Sequence, residues 1–180
     1  MDEKKSILLH CCCAPCASSV LEKLVPMYTV SIVFYNPNIE PHEEYDKRKN
    51  ELTKLLSTMP VLHEVELIEC EYDNAAFKHA ALSLRQEPEG GLRCRMCFEM
   101  RLKETARIAG AGEFDIFATT LSVSPHKNAK LLNEIGSKIA DETGIEYLHA
   151  NFKKQNGFKR SLELSNIYGL YRQEYCGCKK

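Results

Sequence analysis

Three groups of cysteines, far apart in the chain, constrain this sequence more than any other feature: Cys11-Cys12-Cys13-Ala14-Pro15-Cys16, Cys94-Arg95-Met96-Cys97 and Cys176-Gly177-Cys178. A fold that gathers them builds one thiolate-rich centre. A fold that keeps them apart leaves most of the nine cysteines idle. The chain has 180 residues, enough for one α/β domain with a substantial core. Apolar runs are short, at 7–9 and 30–34 with Ser31 interrupting the second. Spanning a bilayer takes about 20 such residues, so no membrane association is expected. Met1-Asp2-Glu3-Lys4-Lys5 is not followed by the long apolar stretch and small-residue cleavage site of a signal peptide, and a cytoplasmic protein is expected. In a reducing compartment, cysteines in such number point to metal or thiol chemistry; their odd count also argues against a disulfide framework.

The apolar pattern reads as one domain, over residues 1–180, of strands alternating with helices. Strands are expected at 7–10, 29–34, 62–68, 114–119 and 145–148. Helices are expected at 17–24, 41–57, after Asp73 to 84, from the second cysteine motif to 109, at 124–143 and at 157–168. Pro41 suits a first helical turn, and Ser124-Pro125 reads as an N-cap and first-turn proline. Five apolar strands between helices give a mostly parallel sheet covered on both faces, the Rossmann-like class of α/β fold. Ligands of such sheets sit beyond the C-terminal strand ends. The first cysteine motif, residues 35–38 and residues 119–124 each follow a strand directly, so they should share that rim.

Cys-x-x-Cys lets two thiolates grip one centre from a turn or helix start, where the helix end favours the thiolate form. Gly177 lets the third motif fold closely without a Cβ. Two Cys-x-x-Cys pairs, a Cys-x-Cys and a cysteine triplet together make a strong metal signal, and eight motif cysteines exceed one tetrahedral site. A zinc site of four thiolates is the inert alternative, although its pairs usually close a small unit and here lie about eighty residues apart. Thiolates alone also suit iron–sulfur clusters. A third reading is thiol–disulfide exchange at Cys13-Ala14-Pro15-Cys16, which leaves the other two motifs without a role. Cys70 reads as a small buried hydrophobe. The net charge of −1 is uneven: residues 151–180 carry +5 and the rest −6. A basic segment can meet a phosphate backbone, although by charge alone a solvated helix face is the simpler reading.

The ordered motifs HCCCAPC at 10–16, YNPNI at 35–39, EPEGG at 87–91, RCRMCF at 93–98, TTL at 119–121, SPHK at 124–127 and YRQEYCGC at 171–178 resemble the QueH-type epoxyqueuosine reductases. The resemblance spans nearly the whole chain. It implies reduction of epoxyqueuosine to queuosine at the wobble position of tRNA, with a [4Fe–4S] cluster beside a separate mononuclear iron. The metal ligands it implies are Cys12, Cys13, Cys16, Cys94, Cys97, Cys176 and Cys178; Cys11 is extra. Four thiolates suit the cluster and three the iron, with a preference for the two Cys-x-x-Cys pairs on the cluster and Cys12, Cys176 and Cys178 on the iron. Deoxygenating an epoxide also needs protons and an external electron donor. Tyr35, Glu89 and His126 are the candidate catalytic residues, with His10 and Tyr175 behind them. His126 falls in the first turn of an expected helix, where the dipole disfavours its protonated ring. Arg93, Lys127, Tyr171 and Arg172, then Arg95 and Arg160, are candidate tRNA contacts. The strand–loop–helix start is similar in position to the phosphate loop of adenine-nucleotide α-hydrolase-like folds. The glycine-rich signature is missing, so ATP binding is not expected.

Overall fold

The computed structural model describes residues 4–179. Five strands form one all-parallel sheet: β1 (Ser6–His10), β2 (Thr29–Phe34), β3 (Glu66–Glu69), β4 (Ile116–Thr119) and β5 (Glu146–Tyr147), in the order β3-β2-β1-β4-β5. Side-chain alternation sends Ile7 and Leu9 to one face and Leu8 to the other. The first face is covered by α1 (Ala14–Leu24), α2 (His42–Thr58) and α6 (Gly157–Ile167), and the second by α4 (Leu92–Ala111) and α5 (Ala129–Thr143). A shorter α3 (Asn74–Ala80) is capped by the Asp73 carboxylate, which accepts the Ala76 N–H at 3.0 Å. Each fully buried leucine or isoleucine, such as Leu8, Leu9 and Ile32, contributes about 1.5–3 kcal/mol over leaving it exposed.

The chain reverses its winding between β1 and β4, which pair Leu8 with Phe117 and His10 with Thr119. Loops diverge there, to β2 on one side and β5 on the other, and leave a crevice at the C-terminal strand ends. Several expected boundaries move. Residues 62–68 do not form one strand: Pro60–Leu62 make a 3₁₀ turn that buries Leu62, and only Glu66–Glu69 pair with β2. The glutamates at both ends of β3 suit an exposed edge. Pro41 is the N-cap of α2 and lies before its first turn. Ser124-Pro125 does not open α5. The Asn128 side chain accepts the N–H groups of Lys130 and Leu131 and starts the helix at Ala129. Residues 124–127 instead form a turn closed from Lys127 N–H to Ser124 C=O. Lys180 and Met1 to Glu3 lie outside the described residues.

Candidate metal centre

The first cysteine motif occupies the turn from β1 into α1, with Cys13 at the N-cap and Pro15 in the first turn. The backbone is tied to the neighbouring strand loop: Cys11 N–H donates to Val33 C=O, and the Asn36 amide donates to Cys11 C=O at 2.8 Å. This turn brings the sulfurs of Cys12, Cys13 and Cys16 within 4.8 Å of one another, a spacing that can hold a metal ion. Hydrogen bonds from Cys13 and Cys16 hold the Cys12 thiol well below its usual range, helped by Arg101 and Lys127. Hydrogen bonding with Cys12 pushes Cys13 up to about 11 and holds Cys16 well above its usual range. A cation must therefore displace protons from this trio, as metal ions do from thiols generally. Cys11 is fully buried beneath the motif and points to Leu9 C=O, with its thiol pushed up by burial.

The second motif opens α4. Cys94 lies in the first turn, where the Gly90 N–H donates to its sulfur at 3.2 Å, and Cys97 follows one turn later. The third motif reaches the same place as a strap. Arg48, 1% exposed, donates to Tyr175 C=O and Cys176 C=O at 3.1 Å each while its Nε engages Glu44 at 2.7 Å. Gly177 C=O accepts the Glu40 N–H, and the Tyr175 hydroxyl donates to Glu40 C=O. Gly177 has φ +106°, and a Cβ there would meet Ile39 at 2.7 Å, so both conformation and contact require glycine. Cys94, Cys97, Cys176 and Cys178 face a common cavity of about 170 Å³. Burial raises the Cys97 and Cys178 thiols, Cys178 to about 11, with Arg101 and Arg93 respectively opposing.

A second cavity of about 480 Å³ opens from Cys12 and Cys16 past Lys127, Arg172 and Tyr175. The two cavities share Cys176, Cys178, Glu89, Arg101, His126 and Lys127, so the three motifs converge as expected. Glu89 and His126 stand exposed at this junction. His126 lies in the turn before α5 and not in its first turn, which removes the dipole argument made for it. Tyr35 is elsewhere: its side chain lines a separate depression with Met96, Glu99 and Met100. His10 is a packed histidine, bonded to Tyr35 C=O at 3.0 Å and Thr119 Oγ1 at 3.1 Å, and burial followed by Arg101 lowers it to about 3.

The expected phosphate contacts divide in the same way. Lys127 and Arg172 line the open cavity, whereas Arg93 is enclosed beside Cys94. The Tyr171 hydroxyl donates to Glu44, Arg160 forks onto Glu22, and Arg95 reaches Glu99. Two buried arginines escaped sequence reasoning. Arg101, 2% exposed, donates to Asn36 Oδ1 at 2.6 Å and reaches Cys97 Sγ at 3.8 Å. Its spacing, four residues after Cys97 and seven after Cys94, puts all three on one helical face, which is a readable signal. Arg48 carries less signal: Glu44, four residues before it, reads as an ordinary helical pair, and its other partners are backbone carbonyls more than a hundred residues away.

No helix among the described residues is long and apolar enough to cross a membrane. The sequence model of the family described as "Epoxyqueuosine reductase QueH" matches residues 7–179. Similar proteins carry the same name. That of Staphylococcus epidermidis is 42% identical over 98% of this chain and 76% of its own length. That of Streptococcus pyogenes is 40% identical over 97% and 69%. A more distant relative from Thermotoga maritima is 32% identical over 96% of this chain and 88% of its own. A match along the whole sheet and all three cysteine motifs makes this chain a member of the QueH family of epoxyqueuosine reductases.

Proposed function

We propose that this chain reduces epoxyqueuosine to queuosine in tRNA, with an iron–sulfur cluster and a separate iron ion held by seven of its eight motif cysteines, all but Cys11. The family match over residues 7–179 carries the reaction. The donor set supports the metals: soft thiolates in two groups, with no imidazole or carboxylate among the three close sulfurs. Cys12, Cys13 and Cys16 are gathered tightly enough for a single ion. Cys94, Cys97, Cys176 and Cys178 surround a cavity, the arrangement a four-iron core needs. This division differs from pairing the two Cys-x-x-Cys motifs on one cluster.

A cluster supplies electrons singly, and an iron ion with an open position supplies a Lewis acid. Converting the epoxide to an alkene consumes two electrons and two protons and releases the oxygen as water. Glu89 and His126, at the junction of the cavities, deliver the protons. Lys127 and Arg172 hold tRNA phosphates at the rim while the modified base enters the open cavity. An external one-electron carrier renews the electrons, and the cytoplasm supplies both carrier and tRNA.

The test incubates anaerobically prepared protein with a strong reductant and tRNA containing epoxyqueuosine, then digests the tRNA and separates its nucleosides. Queuosine should replace epoxyqueuosine. An untouched epoxide with iron-loaded, reducible protein defeats the reaction assignment. Stoichiometric zinc without sulfide defeats the metal assignment.

A further inference from the structure

Two buried guanidinium groups of α4, Arg93 and Arg101, have no ion-pair partner among the described residues. Among the described residues, Arg48, Arg95, Arg107 and Arg160 form ion pairs, and Arg93 and Arg101 form none. Arg93 is 7% exposed. Its Nη2 donates to Lys179 C=O at 2.6 Å, and its plane lies near the Phe77 ring. Its Nε and Nη1 are buried with no partner among the described residues, and the residue lines the cavity of Cys94, Cys97, Cys176 and Cys178. Arg101 lines the same cavity from two turns further along and touches Cys97 Sγ. A guanidinium stays charged in proteins, and a buried charge persists only where an opposite charge or acceptors compensate it. Arg101 has the Asn36 Oδ1 acceptor and Arg93 a single carbonyl, and neutral thiols are weak acceptors, so neither positive charge meets an opposite one. Thiolates binding a metal centre of net negative charge provide it directly.

We propose that Arg93 and Arg101 are the counter-charges of an anionic metal–thiolate centre in this cavity, with Arg93 donating its free Nε–H and Nη1–H to sulfur there. The inference rests on the iron–sulfur reading above. One-electron reduction by the external donor adds one negative charge to the centre and breaks no bond, so two fixed positive charges favour the reduced state. They ease delivery of the electrons that deoxygenation consumes. Hydrogen bonds to sulfur and buried charge are general means of tuning cluster potentials. A tRNA phosphate is the other anion the arginines could meet, but Arg93 is 7% exposed and lines the cavity of the four cysteines, not the wider one that Lys127 and Arg172 line.

The experiment compares the full-length chain with Arg93→Gln and Arg93→Lys, each reconstituted anaerobically with iron and sulfide. Iron and sulfide are counted first, and the cluster is then titrated with dithionite and mediators under optical detection. R93Q should keep its iron and sulfide yet have a reduction equilibrium at least tenfold less favourable, about 59 mV lower for one electron. R93K should recover more than half of that shift. A loaded R93Q with wild-type potential overturns the proposal, and so does an unchanged potential accompanied by weaker tRNA binding. If R93Q takes up no iron, a loaded R93K upholds the charge requirement, and an equally empty R93K reduces Arg93 to a packing residue. Wild-type protein without iron or sulfide overturns the underlying reading, and shows it before any variant is measured.

Discussion

The two groups of thiols are built in opposite ways. Cys12, Cys13 and Cys16 come from one turn between adjacent elements, and their sulfurs converge because a strand feeds a helix there. Cys94, Cys97, Cys176 and Cys178 come from a helix and a strap about eighty residues apart, joined by tertiary contacts in which Arg48, Glu40, Ile39 and Arg93 hold the strap down. The first group is preorganised by local chain geometry; the second depends on tertiary contacts. Stress on the fold should therefore empty the second group long before the first.

The largest effect is expected at Arg48. Replacing it with methionine leaves Glu44 with the Tyr171 hydroxyl but no counter-charge and frees the carbonyls of Tyr175 and Cys176, a loss of about 3–5 kcal/mol for breaking a buried pair. Denaturant titration should report that loss, and chelator challenge should strip R48M of the iron of the second group while the first retains its ion. Equal loss from both groups would break the comparison. Gly177→Ala sharpens it at smaller cost. A Cβ at 2.7 Å from Ile39 and a φ of +106° together cost about 1–3 kcal/mol. Bathophenanthroline should extract iron from G177A faster than from wild type, and an identical rate would show that the strap tolerates a side chain.

Lys127 borders both groups, and its substitution separates substrate binding from metal binding. Lys127→Gln should weaken tRNA binding evenly across sequences and reduce the slope of log affinity against log salt by about 1, with iron content unchanged. The smallest effect belongs to Arg160, whose fork onto Glu22 braces α6 against α1, the helix that begins at the first group. R160A should lower stability only slightly at neutral pH, as expected for an exposed pair. Arg160 holds Glu22 below its usual 4.5, so this contribution is complete above that pH and fades as the pH falls through the lowered value. Wild type and R160A should therefore converge in stability on acidification; a gap that widens would contradict the pairing.

Legibility in the sequence followed the same division. The β1–α1 turn could be read directly, because Ile7 to His10 is a short apolar strand and a proline sits just inside the helix that follows. The parallel sheet was equally readable from strands alternating with helices. The start of α5 was missed because two capping signals lie four residues apart, and Asn128 satisfies two N–H groups where Ser124 forms only a turn. Tyr35 lies apart from the two cysteine-lined cavities because of its place past the strand end: its carbonyl meets His10 while the residue lines a depression beside α4. The burial of Arg48 and Arg93 was not readable, since it is decided by distant chain segments that spacing does not encode.

Iron and sulfide counts in three anaerobically reconstituted proteins test the two-centre account most directly: wild type, Cys94→Ser and Cys13→Ser. Wild type should hold about five irons and four sulfides, one four-iron cluster and one further ion. C94S should fall to about one iron with little sulfide, and C13S should keep about four of each. Loss of all iron and sulfide in both variants, or zinc without sulfide in wild type, would contradict it.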